Sequence, residues 1–214
     1  MKGRSNMRTR QEIKEIARVQ LAQNRSACIC VYLLTIVIAG ALSALTFGFA
    51  SLLTPAVTIA VCGFFVCGYN GVFKTVGEWF NTLFDDFLHR LGGYLWMLLW
   101  TFLWALLLWI PGVVKAIAYS LTPYILIDCP KVSAKDALKL SMRMTNGYKI
   151  DIFIAALSFI GWSLLSALTF GILEVLYVGP YRSMTFAGIY QELKQNALDN
   201  GVVTPEQLEG APIV

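Results

Sequence analysis

The side chains in this sequence whose types and spacing could do chemistry are few, and the most unusual of them sits in apolar surroundings. Arg182 falls inside a long apolar run, directly after Gly179, Pro180 and Tyr181. An ionisable group within hydrocarbon is costly and is a functional-site hypothesis by default. A Gly-Pro pair weakens a helix and frees backbone groups, so Pro180, Tyr181 and Arg182, together with Lys115, are the candidate binding residues. They suit an anionic headgroup such as a lipid phosphate. The competing reading is an arginine that snorkels to the headgroups or pairs structurally. Lys115 and Glu174 lie near the opposite membrane face, where a salt bridge between them can form.

His89, the only histidine, shares a helix face with Glu78, Asp85 and Asp86. That set could be drawn around a metal ion, but one histidine on an amphipathic helix reads more simply as part of a solvated face. Of five cysteines, four lie inside apolar runs and none forms a CxxC pair, so they read as small hydrophobes. No GxSxG, HExxH, P-loop or GxGxxG pattern is present. We expect no enzyme activity, no catalytic residue, no metal and no cofactor.

The elements that must carry these residues are set by composition. Of 214 residues, 57% are hydrophobic and 14% charged, and the mean hydropathy is +0.63, whereas an average soluble domain is about 25% charged. Several apolar runs reach the ~17–25 residues of a bilayer-spanning helix. Seven basic residues (Lys2, Arg4, Arg8, Arg10, Lys14, Arg18, Arg25) precede the first run. They mark a cytoplasmic segment facing anionic lipid; with no aromatic-interleaved basic groove, nucleic acid is not an expected partner. Small residues at 39–44 resemble a signal-cleavage site, but the apolar run exceeds the ~7–15 residues of a signal core. The first helix is expected to remain as an anchor.

The predicted fold class is therefore all-α: a polytopic transmembrane helical bundle of six short spans in three hairpins, each preceded by an amphipathic interfacial helix. Residues 1–26 hold the basic N-terminal surface helix, opened by a capping box of Thr9 and Glu12, with Ile13, Ile16, Ala17 and Leu21 on one face. Residues 27–194 form the membrane domain, with spans at about 28–47, 54–70, 94–110, 113–128, 151–171 and 173–191. Further surface helices fall at about 75–91 and 133–147, the latter capped by Ser133 with Asp136. The helix-breaking pair Pro111-Gly112 divides the apolar stretch 93–127 into a hairpin; the rival is one kinked span. Lys131, Lys135, Lys139, Arg143 and Lys149 favour the hairpin, because six spans from a cytoplasmic start leave this basic segment inside. Residues 195–214 are predicted to be a disordered cytoplasmic tail.

The three units carry echoes of one another. VCGY (66–69), LTPY (121–124) and VGPY (178–181) recur in the second helix of each hairpin, and LSALTFG occurs at both 42–48 and 165–171. Each LSALTFG copy contains a small-xxx-small pair, Ala44/Gly48 and Ala167/Gly171, of the kind that lets membrane helices approach closely.

IPGVVKAIAYSLTPYILIDCP (110–130), SMRMTNGYKIDIF (141–153), SFIGW (158–162), TFGI (169–172) and GPY with FAGIY (179–190) resemble the bacterial integral membrane protein family catalogued as domain of unknown function 975. RQEIKEIA and LFDDF extend the resemblance over nearly everything except the tail. It implies a multi-span protein of the bacterial cytoplasmic membrane with both termini cytoplasmic and no established activity or cofactor. The family is also distantly similar to the membrane portions attached to some glycerophosphodiester phosphodiesterases, whose catalytic domain this chain lacks. Gly179 and Arg182 depart from the family pattern. The expected function is a non-enzymatic module binding a lipid, an amphiphile or a membrane partner protein, with the anionic inner leaflet as its setting. A small-solute or peptide exporter is the alternative, and a membrane-embedded enzyme ranks third because the spans offer almost no positioned titratable groups.

Overall fold

A computed structural model describes residues 8–45, 54–82, 86–107 and 109–211, and among them the only regular structure is helical. The order is α1 (Arg10–Gln23), α2 (Arg25–Leu45), α3 (Thr54–Tyr69), α4 (Val76–Thr82), α5 (Phe87–Leu107), α6 (Trp109–Tyr119), α7 (Thr122–Asp128), α8 (Ala134–Met144), α9 (Lys149–Leu157), α10 (Ile160–Leu168), a π-helical turn (Glu174–Val178), α11 (Gly179–Asp199) and α12 (Pro205–Leu208).

Local chemistry explains where the short polar helices start. Thr9 Oγ1 accepts from the Glu12 amide at 3.3 Å while the Glu12 carboxylate accepts from the Thr9 amide at 2.7 Å, which satisfies two otherwise orphaned donors. Ser133 caps α8 through the Asp136 amide at 3.2 Å. Thr75 and Glu78 form the same reciprocal pair ahead of α4, at 2.9 and 3.3 Å. The surface helix expected over 75–91 is not continuous: α4 ends at Thr82, and Asp86, at a positive φ of 48°, leads into α5.

The apolar faces of α1 and α8 do not lie against lipid as expected of interfacial helices. Ile13, Ala17 and Leu21 of α1 are buried, as are Ala137, Leu138, Leu140 and Met144 of α8. α1 turns 92° at the junction with α2 and packs lengthwise on α11, with Arg8 beside Glu192, Ile13 against Gly188 and Arg18 beside Tyr181. A Cβ at position 188 would run into the Tyr69 ring, so only glycine lets these helices approach so closely. α8 packs against α5 and α7.

α5 and α6 pack against each other, and Lys115 of α6 reaches the Trp104 ring of α5 at 4.9 Å. They form a hairpin, but Pro111-Gly112 is not its turn: Pro111 is the third residue of α6. A first-turn proline costs no intrahelical hydrogen bond, so its breaking power is absent there. The last hairpin turns at Phe170 and Gly171, with φ of 50° and 81°. The second LSALTFG copy is thus a helix stop, and Gly171 makes no close helix contact; the first copy lies partly outside the described residues.

One described helix, the α9–α10 run Lys149–Leu168, is long and apolar enough to cross a membrane, and a second arises if the bent pair Arg10–Gln23 and Arg25–Ala41 is a single span. The segment expected to be a disordered tail is ordered as far as it is described. α11 runs on to Asp199, Val203 is 1% exposed, and α12 is capped by a reciprocal Thr204–Gln207 pair.

Candidate functional site

The structure separates the expected site residues. Arg182 Nη2 lies 2.8 Å from Glu174 Oε1, with Tyr32 alongside, so its charge is matched within the protein. Glu174 is therefore taken, and the expected Lys115–Glu174 bridge does not form. Lys115 lies instead over Trp104 and Tyr119, with the Met142 sulfur at 3.7 Å. Pro180 is the second residue of α11 and is buried. Gly179, just before it, faces the Tyr32 ring so closely that no Cβ fits.

Tyr181 is the expected residue around which a basic site does assemble. It is 2% exposed and sits in an aromatic cluster, stacked on Tyr177 at 5.7 Å and edge-on to Phe159 at 5.4 Å. Two α1 cations, one helical turn apart, close over this cluster. Arg18 Nε donates to the Tyr181 hydroxyl at 3.1 Å, and its guanidinium lies 5.4 Å from the ring centroid. Lys14 Nζ lies 5.0 Å from the Phe159 centroid and donates to Ser158 Oγ. Among the described residues neither cation has a carboxylate partner. Burial, and then repulsion from Arg18 and Arg10, pushes the Lys14 ammonium below the usual lysine range. A half-buried ammonium and an exposed guanidinium thus lie against aromatic rings without a carboxylate among the described residues, with Tyr181 fixing the arginine.

Ser158 and Phe159 lie halfway along Lys149–Leu168, at the turn between α9 and α10. Sequence reasoning takes Lys14 and Arg18 only as lipid-surface charge; their spacing of four is visible in the sequence, but the docking of Lys14 on Ser158 and Phe159 and of Arg18 on Tyr181, 144 and 163 positions away, is not.

At the opposite end of α1, Arg8, Arg10, Asp151 and Glu192 rim a cavity of about 340 Å³ floored by Ile13 and Ile152. Its charges are paired, Arg8 with Glu192 at 3.1 Å and Arg10 with Asp151 at 3.8 Å. His89 is not simply solvated: its Nε2 bonds to the Val132 carbonyl at 2.8 Å and ties the start of α5 to the loop before α8.

The family described as "Protein of unknown function (DUF975)" matches residues 89–197, just over half the chain, from the first turn of α5 to the end of α11. The chain belongs to this family. The match takes in the α5–α6 hairpin, α8 and the last hairpin; the resemblance expected at RQEIKEIA and LFDDF lies outside the matched region, as do Lys14 and Arg18. No curated protein and no solved structure matches the chain.

Proposed function

We propose that this protein is a non-enzymatic, multi-pass module of the bacterial cytoplasmic membrane that binds the anionic headgroup of a lipid or amphiphile at Lys14 and Arg18, with both termini cytoplasmic. The observation that carries this reading is the outer face of the α9–α10 helix. Ile150, Phe153, Ile154, Leu157, Ile160, Leu164, Leu165 and Leu168 recur at helical spacing and all point away from the body of the protein. Single exposed apolar residues are ordinary, but an unbroken stripe along about 30 Å of helix supports a lipid-facing surface. The Lys14–Arg18 pair meets this helix at its midpoint, where acyl chains can lie along the stripe while the phosphate takes the two cations. The succession of α1 with α2–α3, α4 with α5–α7, and α8 with α9–α11 supports six spans in three hairpins.

Lipid analysis of the protein purified in mild detergent tests the proposal. Wild type should retain an anionic lipid or amphiphile, Lys14→Gln with Arg18→Gln should lose most of it, and Arg182→Ala should keep it, since Arg182 is neutralised by Glu174. Retention unchanged in the double variant would overturn the assignment.

A further inference from the structure

We propose that the Lys14–Arg18 site is a station on a path by which anionic phospholipid passes between the two leaflets, so that the protein equilibrates such lipid across the bilayer. The proposal rests on the headgroup reading above and adds movement to it.

Depth is what points to movement. Lys149–Leu168, with 20 residues, is the described helix that is long and apolar enough by itself to cross a membrane. Its length of about 30 Å matches a hydrocarbon core. Ser158 is the tenth of its residues, and Lys14 donates to Ser158 and lies over Phe159. When this helix crosses the bilayer, Lys14 therefore stands level with the middle. A headgroup resting there belongs to neither leaflet, whereas a lipid bound for storage would keep its phosphate at the surface. The cost of a bare charge in hydrocarbon holds phospholipids in their own leaflet, and cations at mid-depth lower that barrier.

α1 supplies the way in. Arg10, Lys14 and Arg18 stand four apart, and their partners follow in step: Arg10 lies 3.8 Å from Asp151, Lys14 meets Ser158 and Arg18 meets Tyr181. Side chains at this spacing share a helix face with about 5–6 Å between their Cβ atoms, so a phosphate can reach the next cation before it leaves the last. The mouth is the cavity of about 340 Å³ at the start of α1, where Arg8 and Arg10 hold the carboxylates of Glu192 and Asp151. Lys14 and Arg18 are held by rings and hydroxyls instead, so an arriving phosphate has no ion pair to displace from them.

The tails have a matching track. Ile150, Phe153, Ile154 and Leu157 precede Ser158, and Ile160, Leu164, Leu165 and Leu168 follow it, all of them exposed. Ser158 is exposed and Phe159 buried, so Lys14 sits at the edge of this stripe. Acyl chains can stay in the bilayer along both halves of the helix while only the headgroup passes the cations. A water-soluble anion would have no use for such a face, which is why the cargo is a lipid.

The test uses the full-length protein reconstituted into vesicles of phosphatidylcholine with a minority of phosphatidylglycerol, plus a trace of phosphatidylglycerol labelled with NBD on one acyl chain. Dithionite does not cross the membrane and bleaches only the outer leaflet of protein-free vesicles. With wild type the bleaching should run well past that share, and faster for phosphatidylglycerol than for phosphatidylcholine with the same label, whose choline the cations repel. Lys14→Gln with Arg18→Gln should slow this further loss about tenfold or more, since each removes a charged partner of the phosphate. Lys14→Arg, which keeps the charge, should slow it less than Lys14→Gln, and Lys131→Gln, on the loop before α8, should leave it unchanged. Wild-type bleaching that stops at the outer-leaflet share, or a double variant as fast as wild type, would overturn the path. Co-purified lipid separates the two readings. Lipid retained by wild type and lost from the double variant, with bleaching confined to the outer leaflet, removes the movement and leaves the binding site; no retention and no further bleaching removes both.

Discussion

Tyr190 shows how single side chains here hold several helices at once. Its ring stacks on Tyr124 of α7 at 5.5 Å, and its hydroxyl donates to Asp128 at the end of the same helix. Tyr190→Phe keeps the stacking and removes the donor, leaving Asp128 to Lys194 alone. Loss of this charge-assisted bond should cost about 1.5–3 kcal/mol, read as a lowered unfolding midpoint in detergent; an unchanged midpoint would mean that Lys194 alone satisfies the carboxylate. Lys14 gives a pH dependence. Its folded-state pKa lies below the ordinary 10.5, so over the window between the two the unfolded chain holds the extra proton and this group's contribution to stability rises with pH. Anion binding has the opposite sign, because only the ammonium holds a headgroup. Retention of an anionic amphiphile should fall as pH rises through a window that begins below 10.5, and Lys14→Arg should flatten the fall. The Arg182–Glu174 pair was open to a reader of the sequence, since residues eight apart lie about two turns along one helix face. The sequence also allows Glu174 to pair with Lys115, and spacing alone does not decide between the two partners.

The short helices were the most legible elements, because their signals are local. Thr9 with Glu12 and Ser133 with Asp136 cap α1 and α8 as predicted. The same spacing in Thr75 with Glu78 and Thr204 with Gln207 explains the starts of α4 and α12, the latter in a segment that polar composition alone assigns to disorder. Errors arose where a local rule needed its position in the helix. Pro111 breaks nothing in the first turn of α6, and Gly171 serves a left-handed turn rather than a helix crossing. The burial of the α1 and α8 faces was illegible, since an amphipathic stripe packs on protein or on lipid with the same spacing. Two substitutions separate local from tertiary contributions. Ser133→Ala should lower stability by about 1 kcal/mol through the lost cap. Gly188→Ala should cost about 1–3 kcal/mol by pressing α1 away from α11 and Tyr69. Both are read by thermal unfolding in detergent, and a neutral Gly188→Ala would show that α1 docks loosely.

At the scale of the whole molecule, one set of long-range polar contacts gathers at one end. Arg8 meets Glu192, Lys194 meets Asp128, His89 bonds the Val132 carbonyl, and Gly210 packs against the backbone of Lys131. The start of α1, the end of α11, the loop before α8 and the ordered part of the tail therefore share a face. A single kinked span over 93–127 would carry the basic segment to the other end, away from α1. The antiparallel contact of Lys115 with Trp104 instead returns the chain to the end it left. The proposed six spans put an even number of passes between Arg8, Lys135 and Asn200, so single cysteines at these three positions, in a background where the native cysteines are replaced, should react with a membrane-impermeant thiol reagent from one side only, the side of the basic residues. A cysteine at 170, in the turn of the last hairpin, should react from the other side. Opposite-side labelling of positions 8 and 135 would remove the α5–α6 hairpin as a membrane feature. Same-side labelling of 135 and 170 would instead take the α9–α10 stripe out of the bilayer, and with it the surface on which the headgroup site depends.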